Sequence, residues 1–172
     1  TYTITYTATD SSDNSASVSR TVGVLGVKTR ILNVFTNGEI DPTWNEGFKG
    51  ADGGNNWSEC SNGGGEQQGC PNITWALVND SDRGQVIQIE HSSAGQHAIF
   101  YIKTGAPQNL SVYAGGQVKF DIKTISGDSN YTMKIDCVYP CTSGDRSLGV
   151  KGQNDWEEVS VEVDDLVDAG LS

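Results

Sequence analysis

The chain has 172 residues, of which 35% are hydrophobic, 21 are glycine and one is methionine. Its 22 acidic and 11 basic residues give a formal net charge of −11 at pH 7. Such a surface repels nucleic-acid phosphates and anionic lipid headgroups, which argues against both partner classes and favours a neutral partner. No apolar run is long enough to cross a bilayer.

The first 24 residues predict a β-hairpin. Apolar residues alternate with threonine in TYTITYTA, and the alternation resumes after the turn SSDN. The stretch TYTATDSSDNSASVSRTV also resembles the last two strands of a bacterial immunoglobulin-like repeat. This resemblance implies that residues 1–24 are the C-terminal hairpin of a spacer domain, which a linker at 25–30 joins to the rest of the chain.

From Ile31 onward the sequence predicts one short strand after another. Seven runs alternate in hydrophobicity or are rich in β-branched residues, namely ILNVFTN, ITWALVND, GQVIQIEHS, HAIFYIKT, QVKFDIKT, YTMKIDCVY and EEVSVEVDD. Clusters of Gly, Asn, Asp and Ser separate them, and the final DDLVDAGLS is expected to form one helical turn. The pattern indicates an all-β sandwich or jelly roll.

The four cysteines, Cys60, Cys70, Cys137 and Cys141, are best explained as disulfides. Their spacings match neither paired zinc knuckles nor a C-x-x-C redox motif at a helix start. An even number of cysteines in a chain of extracellular character favours disulfides and a secreted protein. Four cysteines allow three pairings, and the sequence does not choose among them, although proximity favours 60–70 and 137–141.

No sequence motif predicts catalysis. The chain lacks G-x-S-x-G, H-E-x-x-H and the Walker loop. His91 and His97 have no convincing nucleophile to pair with, and carboxylates are too numerous for any glycosidase-like pair to stand out. We therefore expect a non-catalytic protein, with a fragment of a catalytic polysaccharide-degrading domain as an alternative.

The stretch NGEID is a candidate calcium site. Glu39 and Asp41 are two residues apart on an extended segment, so both side chains are expected on one face. Asn37 and loop carbonyls could complete an oxygen cage. A solvated acidic strand start explains the pair equally well. In NDSDRG, Asp80 and Asp82 match the D-x-D that begins an EF-hand calcium loop, but the rest of that pattern is missing. A polar turn explains the two residues better.

Exposed aromatic residues are candidates for carbohydrate binding, because the C–H faces of sugars stack on aromatic rings. Trp75 and Trp156 lie in alternating strands and are expected in the core. Trp57 lies in the polar stretch NNWSEC and Tyr139 lies inside CVYPC, where the sequence gives little support for burial. For these two, a ligand-binding role and simple loop packing are equally good interpretations.

Three further residues complete the candidate binding site. Trp44, in DPTWNEG, could belong either to the core or to the site. Asp145 and Arg146 follow CVYPC directly in a predicted turn and could hydrogen-bond sugar hydroxyls. A surface salt pair is the simpler explanation of these two charges.

Residues 31–172 resemble the galactose-binding-like jelly-roll module attached to bacterial exo-1,3/1,4-β-glucanases (ExoP type) and other marine polysaccharide-degrading enzymes. The matching stretches are FTNGEIDPTWNEGF, GCPNITWALV, DRGQVIQIEHSSAG, LSVYAGGQVKFDIKT, YTMKIDCVYPCTSGD and WEEVSVEVDDLVDAGL. The resemblance implies a non-catalytic module that targets a secreted glycoside hydrolase to an algal or other β-linked polysaccharide. With the charge of −11, a neutral β-glucan or an agar-type galactan is expected, and the isolated module is expected to be monomeric.

The same resemblance implies a structural Ca²⁺ bound partly by Glu39 and Asp41. Such modules continue beyond the DAGL turn with a further strand, whereas this sequence stops at Ser172. Either a module truncated at its last strand or a partner strand that fills the gap is therefore expected. The alternative to a sugar-binding module is a structural or adhesion β-sandwich in which Trp57 and Tyr139 only pack their loops.

Overall fold

A computed structural model describes residues 2–23, 30–53, 57–92 and 97–171. Strands make up 52% of it and the described residues contain one short α-helix, so the predicted all-β class is confirmed. The chain divides into two compact units, Thr1–Ile31 and Leu32–Ser172. None of the helices in the described part is long and apolar enough to span a membrane.

The first unit contains the predicted hairpin, formed by β1 (Tyr2–Thr9) and β2 (Ser15–Val22). The register pairs Tyr6 with Val18, so the apolar side chains share one face. The other face carries paired hydroxyls, including Thr7 Oγ1 and Ser17 Oγ at 2.8 Å. The alternation of apolar and hydroxyl residues in the sequence therefore gives the hairpin one apolar face and one face lined by hydroxyls.

The second unit is built from small antiparallel sheets. Its strands are β3 (Phe35–Thr36), β4 (Glu39–Ile40), β5 (Gly47–Asp52), β6 (Ser58–Cys60), β7 (Gly64–Gly65), β8 (Cys70–Asp80), β9 (Gly84–His91), β10 (Ala98–Lys103), β11 (Gln117–Ile122), β12 (Asn130–Met133), β13 (Arg146–Val150) and β14 (Glu157–Glu162). The sheets are ordered β3-β4, β10-β5-β6, β7-β8-β9, β11-β14 and β12-β13. The 3₁₀ turns Glu66–Gln68 and Ser111–Tyr113 and the helix α1 (Val163–Asp168) complete the unit.

Two predicted strands are shorter than expected. In ILNVFTN only Phe35–Thr36 is a strand, because a tight turn at Asn37 and Gly38 folds the chain back to β4. The Asp41 N–H donates to the Val34 carbonyl and continues this pairing. In YTMKIDCVY the strand ends at Met133, and Ile135 instead exchanges hydrogen bonds with Ser143. The predicted turn of helix near the C-terminus is observed as α1.

The main core lies between the sheets β10-β5-β6 and β7-β8-β9. It consists of the disulfide Cys60–Cys70 and Ile73, all buried, with Trp75 and Phe100 packed against them. The Trp75 and Phe100 rings meet edge to face at a centroid distance of 5.6 Å. Gly50 leaves room for the Trp75 ring in this core, because a Cβ at position 50 would lie only 2.7 Å from the ring. Trp75 thus lies in the core, as expected.

A polar cluster joins the end of β8 to the sheet β11-β14. The Asp80 carboxylate accepts hydrogen bonds from Lys123 Nζ and, at 3.2 Å, from Trp156 Nε1. The Lys123 ammonium also lies 4.9 Å from the centroid of the Trp156 ring, within cation–π range. Trp156, expected in the core, is half-buried and serves instead as a hydrogen-bond donor in this cluster.

We expect this cluster to make folding sensitive to acid. The Lys123 hydrogen bond, followed by that of the Asp82 N–H, lowers the pKa of Asp80 from 3.8 to about 2. Because the pKa is lower in the folded state, ionised Asp80 stabilises the fold above about pH 3.8, and this contribution is lost as the pH falls towards 2.

Denaturant titrations of wild type and Asp80→Asn at several pH values test this expectation. The difference between their unfolding free energies should be constant near neutrality and shrink between pH 4 and pH 2. A difference that does not change over this range would show that Asp80 does not titrate as an ion-paired carboxylate.

Candidate functional site

The CVYPC segment forms a closed loop with an outward tyrosine. Cys137 and Cys141 are disulfide-bonded with their Cα atoms 5.2 Å apart, and the Cys137 N–H donates to the Cys141 carbonyl at 3.1 Å. Just outside this loop, Asp136 and Thr142 pair as an isolated bridge. Tyr139, between the cysteines, is 94% exposed. The phenol ring therefore projects into solvent from a loop that the disulfide constrains.

Charged groups support the base of this loop. Partial burial raises the pKa of Asp136, but hydrogen bonds from Lys134 and Thr142 outweigh it, so the pKa lies below its ordinary value. Lys134 Nζ lies 2.6 Å from the Asp136 carboxylate. Asp136 is therefore an ionised anchor of the loop.

Asp145 and Arg146 do not form a pair with each other in the structure. Arg146 opens β13, and its guanidinium lies 3.4 Å from the carboxylate of Asp165 on α1. Asp145 is exposed. A salt pair thus accounts for Arg146, although the partner is 19 positions away and not the adjacent residue.

Trp57 lies at one end of the sheet β10-β5-β6, immediately before β6. Its backbone has φ of 48°, in the left-handed region that few non-glycine residues adopt. The indole ring lies against Gly53, where an added Cβ would come within 2.9 Å of it. The side chain is nevertheless 55% exposed. Trp57 is therefore held in place on one side and open to solvent on the other.

The outer face of this sheet, opposite the core, carries a hydrogen-bonded group. Glu59 Oε2 accepts from the Tyr101 hydroxyl at 2.6 Å and from Lys103 Nζ at 2.9 Å. Lys103 also lies 3.3 Å from Glu46, and Lys49 is directly opposite Tyr101 in the register. We call the outward residues Trp57, Glu59, Lys49, Tyr101 and Lys103 the sheet-face cluster.

These contacts fix the protonation states of the cluster. The hydrogen bonds from Tyr101 and then Lys103 lower the pKa of Glu59. Burial, followed by the bond to Glu59, raises the pKa of Tyr101 well above its ordinary value. Tyr101 is therefore a neutral donor and Glu59 a charged acceptor near neutral pH.

Sequence reasoning identified Trp57 but missed the rest of this cluster. The available signal is the alternation in FKGAD and AIFYIK, which places Lys49, Tyr101 and Lys103 on the face opposite Phe48 and Phe100. The proximity of Tyr101 and Lys103 to Glu59 depends on strands more than 40 residues apart in the chain, which local pattern does not reveal.

Glu39 and Asp41 border a common cleft of about 450 Å³, together with Asn33 and Asn37. A backbone hydrogen bond from Thr43 to Asp41 lowers the pKa of that carboxyl. Trp44 lies close to this cleft, because its Nε1 donates a hydrogen bond to the backbone carbonyl of Asn33 at 3.2 Å. Trp44 is thus half-buried and uses its N–H group within the chain.

The cleft offers oxygen donors only, the type that Ca²⁺ prefers. Two carboxylates and two amide side chains line it. Across the described ranges, no group of three or more His, Cys, Asp and Glu side chains is arranged to bind a metal ion. A calcium ion here would therefore need amide and carbonyl oxygens besides the two acids.

Comparisons with known proteins give no match: no family model, no curated protein and no solved structure is significantly similar to this chain.

Proposed function

We propose that this chain is a non-catalytic carbohydrate-binding module that targets a secreted polysaccharide-degrading enzyme to a neutral β-linked polysaccharide, a β-glucan or an agar-type galactan. In this proposal the second unit is a jelly roll. The observation that supports it most is Tyr139, 94% exposed within a disulfide-closed loop.

An exposed tyrosine on a constrained loop suits sugar binding for two physical reasons. The ring gives an apolar surface for the C–H face of a sugar, and its hydroxyl can bond a sugar hydroxyl. The Cys137–Cys141 disulfide restricts the conformations of the loop before a ligand binds. Less conformational entropy is therefore lost when the ligand orders the loop.

Charge and disulfides agree with the rest of the proposal. The net charge of −11 disfavours sulfated and uronic-acid polymers but has little effect on a neutral glycan. The two disulfides fit a protein that functions in an oxidising, extracellular environment. Secretion follows from the proposal rather than from any targeting segment.

Calcium is the proposed cofactor, at the cleft bordered by Glu39 and Asp41. Their carboxylates would supply charge, and the amide oxygen of Asn33 would add a neutral donor. The amide oxygen of Asn37 already accepts a hydrogen bond from the Gln85 N–H at 3.0 Å. The bound ion would hold the short strands β3 and β4 together, since these residues lie within or beside them.

Affinity electrophoresis tests the proposal with laminarin, agarose, porphyran and carrageenan gels. We expect the wild-type chain to be retarded on laminarin or agarose and least on carrageenan. Tyr139→Ala should bind about tenfold more weakly, a loss of about 1.4 kcal/mol that fits one stacked ring. Tyr6→Ala, an exposed tyrosine in the other unit, is the matched control and should bind like wild type.

If folded wild-type protein is not retarded on any gel, the carbohydrate-binding proposal is wrong and a structural β-sandwich is favoured. If the isolated chain releases reducing ends or unsaturated products from these polymers, a catalytic domain is favoured instead.

A further inference from the structure

The sheet-face cluster is an elongated surface and not a pocket. Trp57 lies at the end of the sheet near Gly53, Tyr101 and Lys49 lie opposite each other in the middle, and Lys103 ends β10. From His97 to Lys103 this face extends about 20 Å, and its three strands are about 4.8 Å apart. It is therefore long enough for several sugar rings in a row.

The charged groups on this face are accessible to solvent. The side chains of Glu46, Glu59 and Lys103 are between 38 and 42% exposed, and β8 packs on the other face of the sheet, through Ile73 and Trp75. Between the charged groups, Ala51 and Ile99 are paired in the register, and Ala51 is buried. The apolar surface that this face offers to a ligand is therefore mainly the half-exposed ring of Trp57.

The charges on this face balance locally. Lys49 and Lys103 offset Glu46 and Glu59, two positive and two negative charges, whereas the whole chain carries −11. Each of these groups is a hydrogen-bond donor or acceptor, and Tyr101 adds a neutral hydroxyl. A face that is locally neutral, rich in hydrogen-bonding groups and bordered by an aromatic ring is complementary to an uncharged polyhydroxylated chain.

We infer that the sheet-face cluster binds an internal segment of a neutral polysaccharide chain, with Trp57 stacking on one sugar ring and Tyr101, Glu59, Lys49 and Lys103 hydrogen-bonding hydroxyls further along. This inference rests on the proposed function. It adds a second contact surface, in addition to the Tyr139 loop, and a mode of recognition: a chain lying across a sheet face, with no requirement for a chain end.

Calorimetric titration with defined oligosaccharides tests the inference on the full chain. The probes are laminaribiose, laminarihexaose, borohydride-reduced laminarihexaose, neoagarobiose and neoagarohexaose. We expect one hexasaccharide to bind at least tenfold more tightly than its disaccharide, because a longer chain reaches more of the cluster. If that ligand is laminarihexaose, reduction of its end should change the affinity less than twofold, because the end is not recognised.

Variants locate the site. Trp57→Ala should weaken hexasaccharide binding at least tenfold, and Trp57→Phe should recover part of it. Tyr101→Phe keeps the ring and removes the hydroxyl together with its bond to Glu59. A loss of about fivefold in hexasaccharide affinity, in a variant that is still fully folded at the assay temperature, would support a polar contact from this group. Lys119→Ala, an exposed lysine on the sheet β11-β14, is the control and should bind like wild type.

Three kinds of outcome would overturn the inference in distinguishable ways. If wild type binds but Trp57→Ala and Tyr101→Phe stay within twofold of it, the sheet face is not the site while the proposed function survives. Equal affinity for di- and hexasaccharide, or loss of laminarihexaose binding on reduction of its end, would likewise contradict recognition of internal segments. If no probe binds to folded wild type, both the inference and the proposed function are wrong.

Discussion

The double variant Cys60→Ala/Cys70→Ala is expected to unfold at a markedly lower denaturant concentration, with a loss of about 3 kcal/mol or more in unfolding free energy. The disulfide closes a loop between cysteines with a sequence separation of 10. In the chain-entropy account, closing such a loop contributes about 3 kcal/mol to the unfolding free energy. Both cysteines are also buried against Ile73, so their sulfur atoms pack in the main core. Guanidinium titration followed by tryptophan fluorescence measures the loss, since all four tryptophans lie in the second unit.

The other disulfide provides the matched control. Cys137→Ala/Cys141→Ala opens a loop with a sequence separation of 4 between the cysteines, and Cys137 is exposed. We expect this variant to lose no more than about 2 kcal/mol, because a shorter loop gains less from closure and no core packing is removed. Equal losses in the two variants would contradict the assignment of Cys60 and Cys70 to the core.

Gly64→Ala is expected to lower the unfolding free energy by about 4 kcal/mol, more than Gly69→Ala does. Gly64 has φ of +69°, and a Cβ there would lie 2.2 Å from the Ile73 carbonyl oxygen and 2.8 Å from the Trp75 ring. The substitution therefore combines backbone strain of about 1–2 kcal/mol with overpacking of about 1–3 kcal/mol.

Gly69→Ala separates these two causes. Gly69 also has a positive φ, +79°, but a Cβ there would meet nothing within 4 Å. We expect it to lose only the backbone contribution, about 1–2 kcal/mol. The difference between the two midpoints in the same denaturant titration measures the packing contribution. If Gly69→Ala is as destabilised as Gly64→Ala, the crowding around Gly64 has no energetic effect.

Local pattern predicted much of the secondary structure because strand alternation depends on neighbouring residues. ITWALVND lies within β8, HAIFYIKT contains β10, and QVKFDIKT contains β11. The pattern failed where the chain folds back over a short loop, as in the hydrogen bonds of Asp41 to Val34 and of Ser143 to Ile135. A short apolar run cannot reveal such a partner.

In the candidate site, too, the local features could be predicted from the sequence and the long-range contacts could not. The exposure of Trp57 and Tyr139 agrees with their polar and cysteine-flanked surroundings in the sequence. The bond between Tyr101 and Glu59 joins residues 42 positions apart, and the cluster around Trp156 depends on Asp80, 76 positions away. Such contacts come from the way the sheets pair and pack, which one sequence does not encode in any local motif.

A glycan array probed with the isolated chain, with and without a calcium chelator, tests the central claim most directly. The account predicts signal on neutral β-linked glucans or agar-type galactans of several sugar units, little on sulfated or uronic-acid glycans, and weaker signal after chelation. Absence of signal from folded protein on every neutral glycan, or binding confined to charged ones, would contradict it.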